Sequence, residues 1–193
     1  MSVIVAIKDN GTVYMGADSQ TSAGSSKVNR LNETAFKVVR LDNGTLVGFC
    51  GKIAARQTIL AMKDVFTLDE NGELTKSHIV KNIVAKLADK LVDIGDEQSG
   101  SLDVTILIAH KDNLFRISSD LTVIKLNEYG RAGSGLSFVD YALVGMKELS
   151  VRERILKALI ESSKRTLSVS GPYVLIDTKA LEYEVIDMKE ENY

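Results

Sequence analysis

Ser2 follows Met1 directly, and a small residue at that position lets methionine aminopeptidase expose it as a new N-terminus. An N-terminal serine or threonine carries its own base. The free α-amine lies within reach of the side-chain hydroxyl and titrates near ~7.7–8.0, so a good fraction is neutral at cytosolic pH. It can then take the hydroxyl proton directly or through a water. A Met-Ser start alone carries little weight, because such starts are common. The other residues with chemical potential are less promising. Cys50 reads as a small buried residue at a strand end rather than a thiol nucleophile, with neither histidine near it in sequence. His78 and His110 are far apart, and with no cysteine pair they give no zinc pattern and no metal is expected. The stretch Gly130-Arg-Ala-Gly-Ser-Gly135 lacks the Lys-Ser/Thr of a phosphate-binding loop, and no cofactor is expected.

The elements that must position Ser2 can be read from punctuation and periodicity. Val3 to Lys8 and Thr12 to Ala17 are β-type runs around Asp9-Asn10-Gly11, a hairpin signal. The pattern repeats as Phe36 to Leu41, Asp42-Asn43-Gly44, and Thr45 to Cys50. From Lys52 to about Phe66 the period becomes helical, with Ile53, Ile59, Met62 and Phe66 on one face. Val80, Ile83, Val84, Leu87, Leu91 and Ile94 predict a second helix ending at Gly95. Strands are expected over Leu102 to His110, Leu114 to Ser118 and Leu121 to Leu126. The glycine-rich stretch at 130–135 then leads into a helix from about Leu136 to Leu149. A further helix starts at Ser150, where Ser-Val-Arg-Glu153 has capping-box form and Val151, Ile155 and Leu159 make the buried stripe. Tyr173 to Asp177 and Tyr183 to Ile186 close the chain as strands. Sheet, two helices, sheet, two helices and sheet give an α+β fold, and a four-layer αββα sandwich would bury every stripe.

The 193 residues fit one domain over 1–193, with no repeat, no low-complexity linker and a single proline, Pro172. A net charge of −2 with no basic run argues against nucleic acid as a partner. One cysteine excludes an internal disulfide framework and fits a reducing compartment. The opening MSVIVAIKDNG has neither a basic leader nor the length of a membrane span, so a cytoplasmic protein without a membrane partner is expected. The terminal Glu190-Glu191-Asn192-Tyr193 reads as a solvated tail.

Several motifs, in order, resemble the proteasome β-type subunits and their bacterial relative HslV, which are N-terminal-nucleophile hydrolases. Asp18 lies sixteen residues after Ser2 within Gly16-Ala-Asp-Ser-Gln-Thr-Ser-Ala-Gly24. Phe36-Lys-Val-Val-Arg-Leu41 resembles the strand with the family's lysine, and Val47-Gly-Phe-Cys-Gly51 is especially similar to HslV, as is Gln20. Ala132-Gly-Ser-Gly135 before a helix matches the glycine-flanked serine of the site. The resemblance implies Ser2 as nucleophile, Lys37 as the cation beside it, Asp18 as the partner of Lys37, Gly51 as an oxyanion donor and Ser134 as support for the amine or Asp18. It implies Thr21, Ser22, Phe49 and Ile53 as substrate contacts. Taken singly, each has an ordinary reading: Asp18 a strand-end turn residue, Lys37 an exposed strand lysine, Gly51 a helix-entry glycine, Ser134 a helix cap. Their order and spacing together favour the functional one.

The chain departs from the family at three places. Leu167 stands where a late aspartate is usual, three residues before Ser170, and no carboxylate lies between Glu161 and Asp177. Ser168 or Ser170 would then support the N-terminus by hydrogen bonding. The loop from Asp18 to Lys37 is three residues longer than usual, and the nucleophile is serine where the family has threonine. The implied function is a self-compartmentalising, threonine-type peptidase subunit in a homo-oligomeric ring, acting on proteins or peptides and fed by an AAA+ ATPase unfoldase. The rivals are a non-catalytic ring subunit and an amidase of the same class acting on a small molecule.

Overall fold

The computed structural model describes residues 2–23, 26–29, 36–89, 102, 104–134 and 136–187. Among the described residues, twelve strands, four main helices and a short 3-10 turn at Lys63–Val65 build it. β1 (Val3–Asp9) and β2 (Thr12–Asp18) form the first hairpin, with Ile4 opposite Ala17 and Asp9 opposite Thr12. Asn10 and Gly11 both have positive φ, 46° and 72°, the backbone that a two-residue turn needs to match strand twist. A small hairpin follows, β3 (Gln20–Ala23) with β4 (Ser26–Asn29), which the sequence reading had not separated from the loop before Lys37. β5 (Val38–Arg40) and β6 (Leu46–Gly51) make the second expected hairpin, Val38 opposite Gly48.

Two five-stranded antiparallel sheets face each other. One runs β10-β1-β2-β11-β12, where β10 is Tyr129–Gly133, β11 is Tyr173–Asp177 and β12 is Glu184–Ile186. The other runs β5-β6-β7-β8-β9, where β7 is Val104–His110, β8 is Asn113–Ile117 and β9 is Val123–Leu126. Alternation along each strand sorts side chains between two cores. Ile4 and Ala6 of β1 meet Val38, Leu46, Leu107 and Ala109 between the sheets. Val3, Val5 and Ile7 face the other way, onto α3 (Leu136–Gly145) and α4 (Val151–Arg165), against Val139, Leu143, Ile155 and Leu159. On the far side Val47, Phe49, Ile106 and Ile108 pack against α1 (Ile53–Ala61) and α2 (76–89) through Ile59, Ile79, Ile83 and Leu87. The fold is thus an αββα sandwich.

Local chemistry sets the element ends. Ser150 accepts from the Glu153 N–H while the Glu153 carboxylate accepts from the Ser150 N–H at 2.9 Å, the reciprocal cap that starts α4. Gly16 lets α4 press on the sheet, since a Cβ there would stand 2.4 Å from Ile155 Cγ2.

Four details differ from the sequence expectation. Residues 129–133 form edge strand β10, paired with β1, so the glycine-rich segment is only partly a loop. The helix after it ends at Gly145. Ile53 is 44% exposed at the start of α1, where Ala55 and Ile59 face inward. In α2, residues Ile79–Val84 wind as a π-helix, and the buried positions are Ile79, Ile83 and Leu87, while Val80 is 44% exposed. A spacing of four suits a turn wider than the α-helix, and rotates Val80 off the core. The expected stripe positions Leu91 and Ile94, and the cap Gly95, lie outside the described residues.

Candidate active site

The first hairpin carries Ser2 and Asp18 to the same end of the sheet, because Ile4 pairs with Ala17 and the strands run antiparallel. Asp18 is completely buried and accepts three hydrogen bonds. Its Oδ1 takes the Val3 N–H at 2.8 Å, which fixes the peptide next to Ser2. Its Oδ2 takes Lys37 Nζ at 2.7 Å and the Gln20 N–H at 3.2 Å. Lys37 precedes edge strand β5 and crosses from the opposite sheet. Its carbonyl accepts the Phe49 N–H at 2.8 Å, and its ammonium donates a second bond to the Gln20 carbonyl at 2.7 Å. With 5% of its surface exposed, Lys37 is not the solvated strand lysine of the ordinary reading. Phe36 packs tilted against Tyr183, ring centroids 5.1 Å apart, and the Tyr183 hydroxyl accepts the Arg40 N–H at 2.7 Å, so the C-terminal segment holds the chain on both sides of Lys37.

Ser2 is 6% exposed. Its carbonyl accepts the Ser134 N–H at 2.8 Å, and the Cys50 thiol donates to the same oxygen at 3.6 Å. Gly133, at φ +114°, makes that approach possible. A Cβ there would lie 1.8 Å from the Ser2 oxygen. Cys50 is followed by Gly51, exposed at the end of β6.

Burial pushes the Lys37 amine below its ordinary range, and Asp18 pulls it partly back. Burial likewise raises the Asp18 carboxyl, opposed by the Lys37 charge and by the hydrogen bonds from Lys37, Val3 and Gln20. The Cys50 thiol is pushed up by burial, which keeps it protonated and disfavours it as a nucleophile. A depressed ammonium paired with the carboxylate that also holds the peptide after Ser2 is the kind of group that can stabilise an oxyanion and tune an amine nearby.

The structure therefore brings together Ser2, Asp18, Lys37 and Ser134, while Gly51 follows Cys50, whose thiol meets the Ser2 carbonyl. Ser134 meets Ser2 through its main chain, and its buried Oγ makes no hydrogen bond among the described residues. The Ser168 and Ser170 hydroxyls are also buried without a partner among the described residues. Among the described residues they give no hydrogen-bonding support, and the Leu167 side chain, where the family's carboxylate is usual, is 89% exposed. Thr21 is half-buried in β3, next to Gln20; the Ser22 side chain lies outside the described set. Phe49 is 2% exposed and meets Phe66 edge-on at 6.3 Å, so its ring belongs to the core, whereas Ile53 offers an open surface. His78 is occupied by Thr67 Oγ1 at 2.9 Å and Asn82 at 3.1 Å. Sequence reasoning missed Gln20 as a member of the site. Its signals were the likeness to HslV at that position and a polar residue at the mouth of a strand, two positions after Asp18.

Among the described residues no helix is long and apolar enough to cross a membrane. Solved structures share the fold. BPH from Thiobacillus denitrificans superposes with a TM-score of 0.71 at 19% identity, over 91% of this chain and 96% of that one. The same protein in complex with epoxomicin gives 0.70 at 20% identity, over 91% and 97%. Eukaryotic HslV from Trypanosoma brucei gives 0.67 at 16% identity, over 91% and 98%. Anbu, the ancestral β-subunit from Yersinia bercovieri, gives 0.71 at 16% identity, over 98% and 87%. The model of the proteasome subunit family matches residues 2–171, and with it the chain is placed as a member of that family.

Proposed function

We propose that this family member is a peptidase subunit whose nucleophile is Ser2, exposed by removal of Met1. The observation that carries the reading is the buried Lys37–Asp18 pair, 2.7 Å apart, with the same carboxylate gripping the Val3 N–H next to Ser2. The freed Ser2 amine takes the hydroxyl proton as Oγ bonds to the substrate carbonyl carbon. The carbonyl pair moves onto oxygen, which the Gly51 N–H stabilises; one such donor is typically worth ~10²–10³ in rate. As the oxyanion collapses the C–N bond breaks, and the amine's proton goes to the departing nitrogen. The ester left on Ser2 is then hydrolysed by a water that gives its proton to the amine. Lys37 stabilises the developing alkoxide and disfavours protonation of the amine.

Thr21, Ser22 and Ile53 serve as substrate contacts in this reading, whereas Phe49, expected among them from its motif, is packed in the core against Phe66. Family membership supports a homo-oligomeric ring with protein or peptide substrates, an AAA+ unfoldase feeding it, and a cytoplasmic site of action. Serine lacks the threonine methyl that restricts χ1, so turnover slower than that of a threonine enzyme is expected.

A second reading has its own observation. Leu167 replaces the late carboxylate, and among the described residues Ser168 and Ser170 offer no bonded substitute, which favours a ring subunit without catalysis. Intact mass and a fluorogenic peptide assay separate the two. Loss of Met1 with hydrolysis that Ser2→Ala abolishes supports the peptidase. Retention of Met1, or cleavage surviving in Ser2→Ala, refutes it. Epoxomicin, bound by the Thiobacillus neighbour, is a suitable probe of the N-terminal peptide.

A further inference from the structure

The Lys37–Asp18 pair is enclosed by a residue that none of the roles above uses. Gln20 is 2% exposed, and a buried amide is costly unless its polar groups are bonded. Its N–H donates to Asp18 Oδ2, the same oxygen that receives Lys37 Nζ, and its carbonyl accepts from Lys37 Nζ. Any rotation of the residue 20 backbone thus strains both halves of the ion pair. Its side chain reaches 147 residues along the sequence, where Nε2 donates to the Leu167 carbonyl at 2.9 Å. The Leu167 side chain is 89% exposed and does not anchor the 166–172 segment. That segment is held from below by Val169, 1% exposed, whose N–H donates to Thr166 O at 3.1 Å, and from the site by Gln20.

We propose that Gln20 is a positioning residue which, by tethering the Leu167 main chain, holds its own carbonyl in place as the second acceptor for the Lys37 ammonium. Resting on the reading of Lys37 and Asp18 as the working pair, the proposal gives the chain a connection between the 166–172 segment and the site that needs no carboxylate at 167. The tie uses the main chain of Leu167, so it tolerates any side chain there.

The charged groups acting on Lys37 include Asp18, Cys50 and Arg56, joined by the Ser2 amine once Met1 is removed, and substitution at Gln20 changes none of them. The test is the titration of the Lys37 side chain in the full-length protein, followed by NMR of ¹³C-labelled lysine and assigned with Lys37→Arg. Gln20→Met keeps the volume and loses the donor; Gln20→Asn keeps the amide and loses its reach. Both are expected to lower the Lys37 midpoint by about half a unit or more, since the ammonium loses part of one of two bonds. Both are also expected to speed hydrogen exchange at the Val169 amide. An unchanged Lys37 midpoint in folded variants overturns the proposal. If either variant fails to fold, exchange of the wild-type Gln20 side-chain amide decides: slow exchange supports the tether, and free exchange removes it. Neither readout requires hydrolysis, so a chain without peptidase activity fails the functional reading alone. Where the protein cleaves peptide, the variants should lower kcat and leave KM unchanged.

Discussion

The two sides of the Ser2 centre are built in opposite ways. On the strand side every polar group of Asp18 and Lys37 has a partner at 2.7–3.2 Å, and both side chains are almost wholly buried. On the 166–172 side, Ser168 and Ser170 keep buried hydroxyls without hydrogen bonds among the described residues, and Leu167 projects into solvent. One side is over-determined and the other is tied chiefly through main chain. A buried ion pair is costly to create and more costly to half-remove, so it makes a rigid reference point rather than a source of stability. Substitutions on the two sides should therefore differ sharply.

The largest effect is expected for Lys37→Met, which leaves the Asp18 carboxylate buried with no counter-charge. Loss of about 3–5 kcal/mol of stability should appear in urea unfolding, together with loss of any peptidase activity. A milder result would mean that Asp18 is reached by water. Gly133→Ala comes next, because its Cβ would enter the space of the Ser2 carbonyl oxygen at a backbone angle that disfavours side chains. A loss of about 1–3 kcal/mol is expected, with displacement of Ser2 visible as slower acylation.

The double variant Asp18→Leu with Lys37→Met should be far less damaged than Lys37→Met alone, and pH gives the reason. The folded state raises the Asp18 pKa, so that contribution to stability is full below the unfolded value of 3.8 and is lost as pH rises toward the folded value. The folded state lowers the Lys37 pKa, so its contribution is full above 10.5 and is lost as pH falls toward the folded value. At neutral pH the charged pair thus costs stability on both counts. The double variant should flatten the dependence of the urea midpoint on pH. A double variant less stable than the wild type at neutral pH would show that the pair is net stabilising.

The smallest effects belong to the facing segment. Ser168→Ala and Ser170→Ala should each change stability by no more than about 0.5 kcal/mol, since no hydrogen bond among the described residues is lost. Leu167→Asp should do equally little to stability and should not raise peptidase activity, because the side chain at 167 points away from Ser2. A gain in turnover from that one change would mean that the segment turns inward during catalysis.

How much of this was legible in the sequence follows the range of the interactions. The Asn-Gly and Asp-Asn-Gly turns act locally, and they fixed both hairpins and hence the meeting of Ser2 with Asp18. The capping box at Ser150 was equally readable. Strand β10 was hidden by Gly130 and Gly133, which have no side chains to alternate; they serve close contacts, Gly130 with Leu126 and Gly133 with Ser2. The π segment in α2 shifted the buried face by one residue at Val80, which a 3.6-residue template cannot show. Phe49 looked like a pocket residue from its motif, yet strand alternation sends it into the core with Phe66. Gln20 was missed because its partner is a main-chain carbonyl far along the chain, and a carbonyl leaves no mark in residue type.

The central claim is that Ser2, freed of Met1, is the nucleophile. Its most direct test is mass spectrometry of the N-terminal peptide after acid quench during turnover of a peptide ester. The expected N-terminal peptide begins at Ser2 and carries the acyl group on that residue. An N-terminal peptide that still begins at Met1 and carries no acyl group, while hydrolysis proceeds, would contradict it.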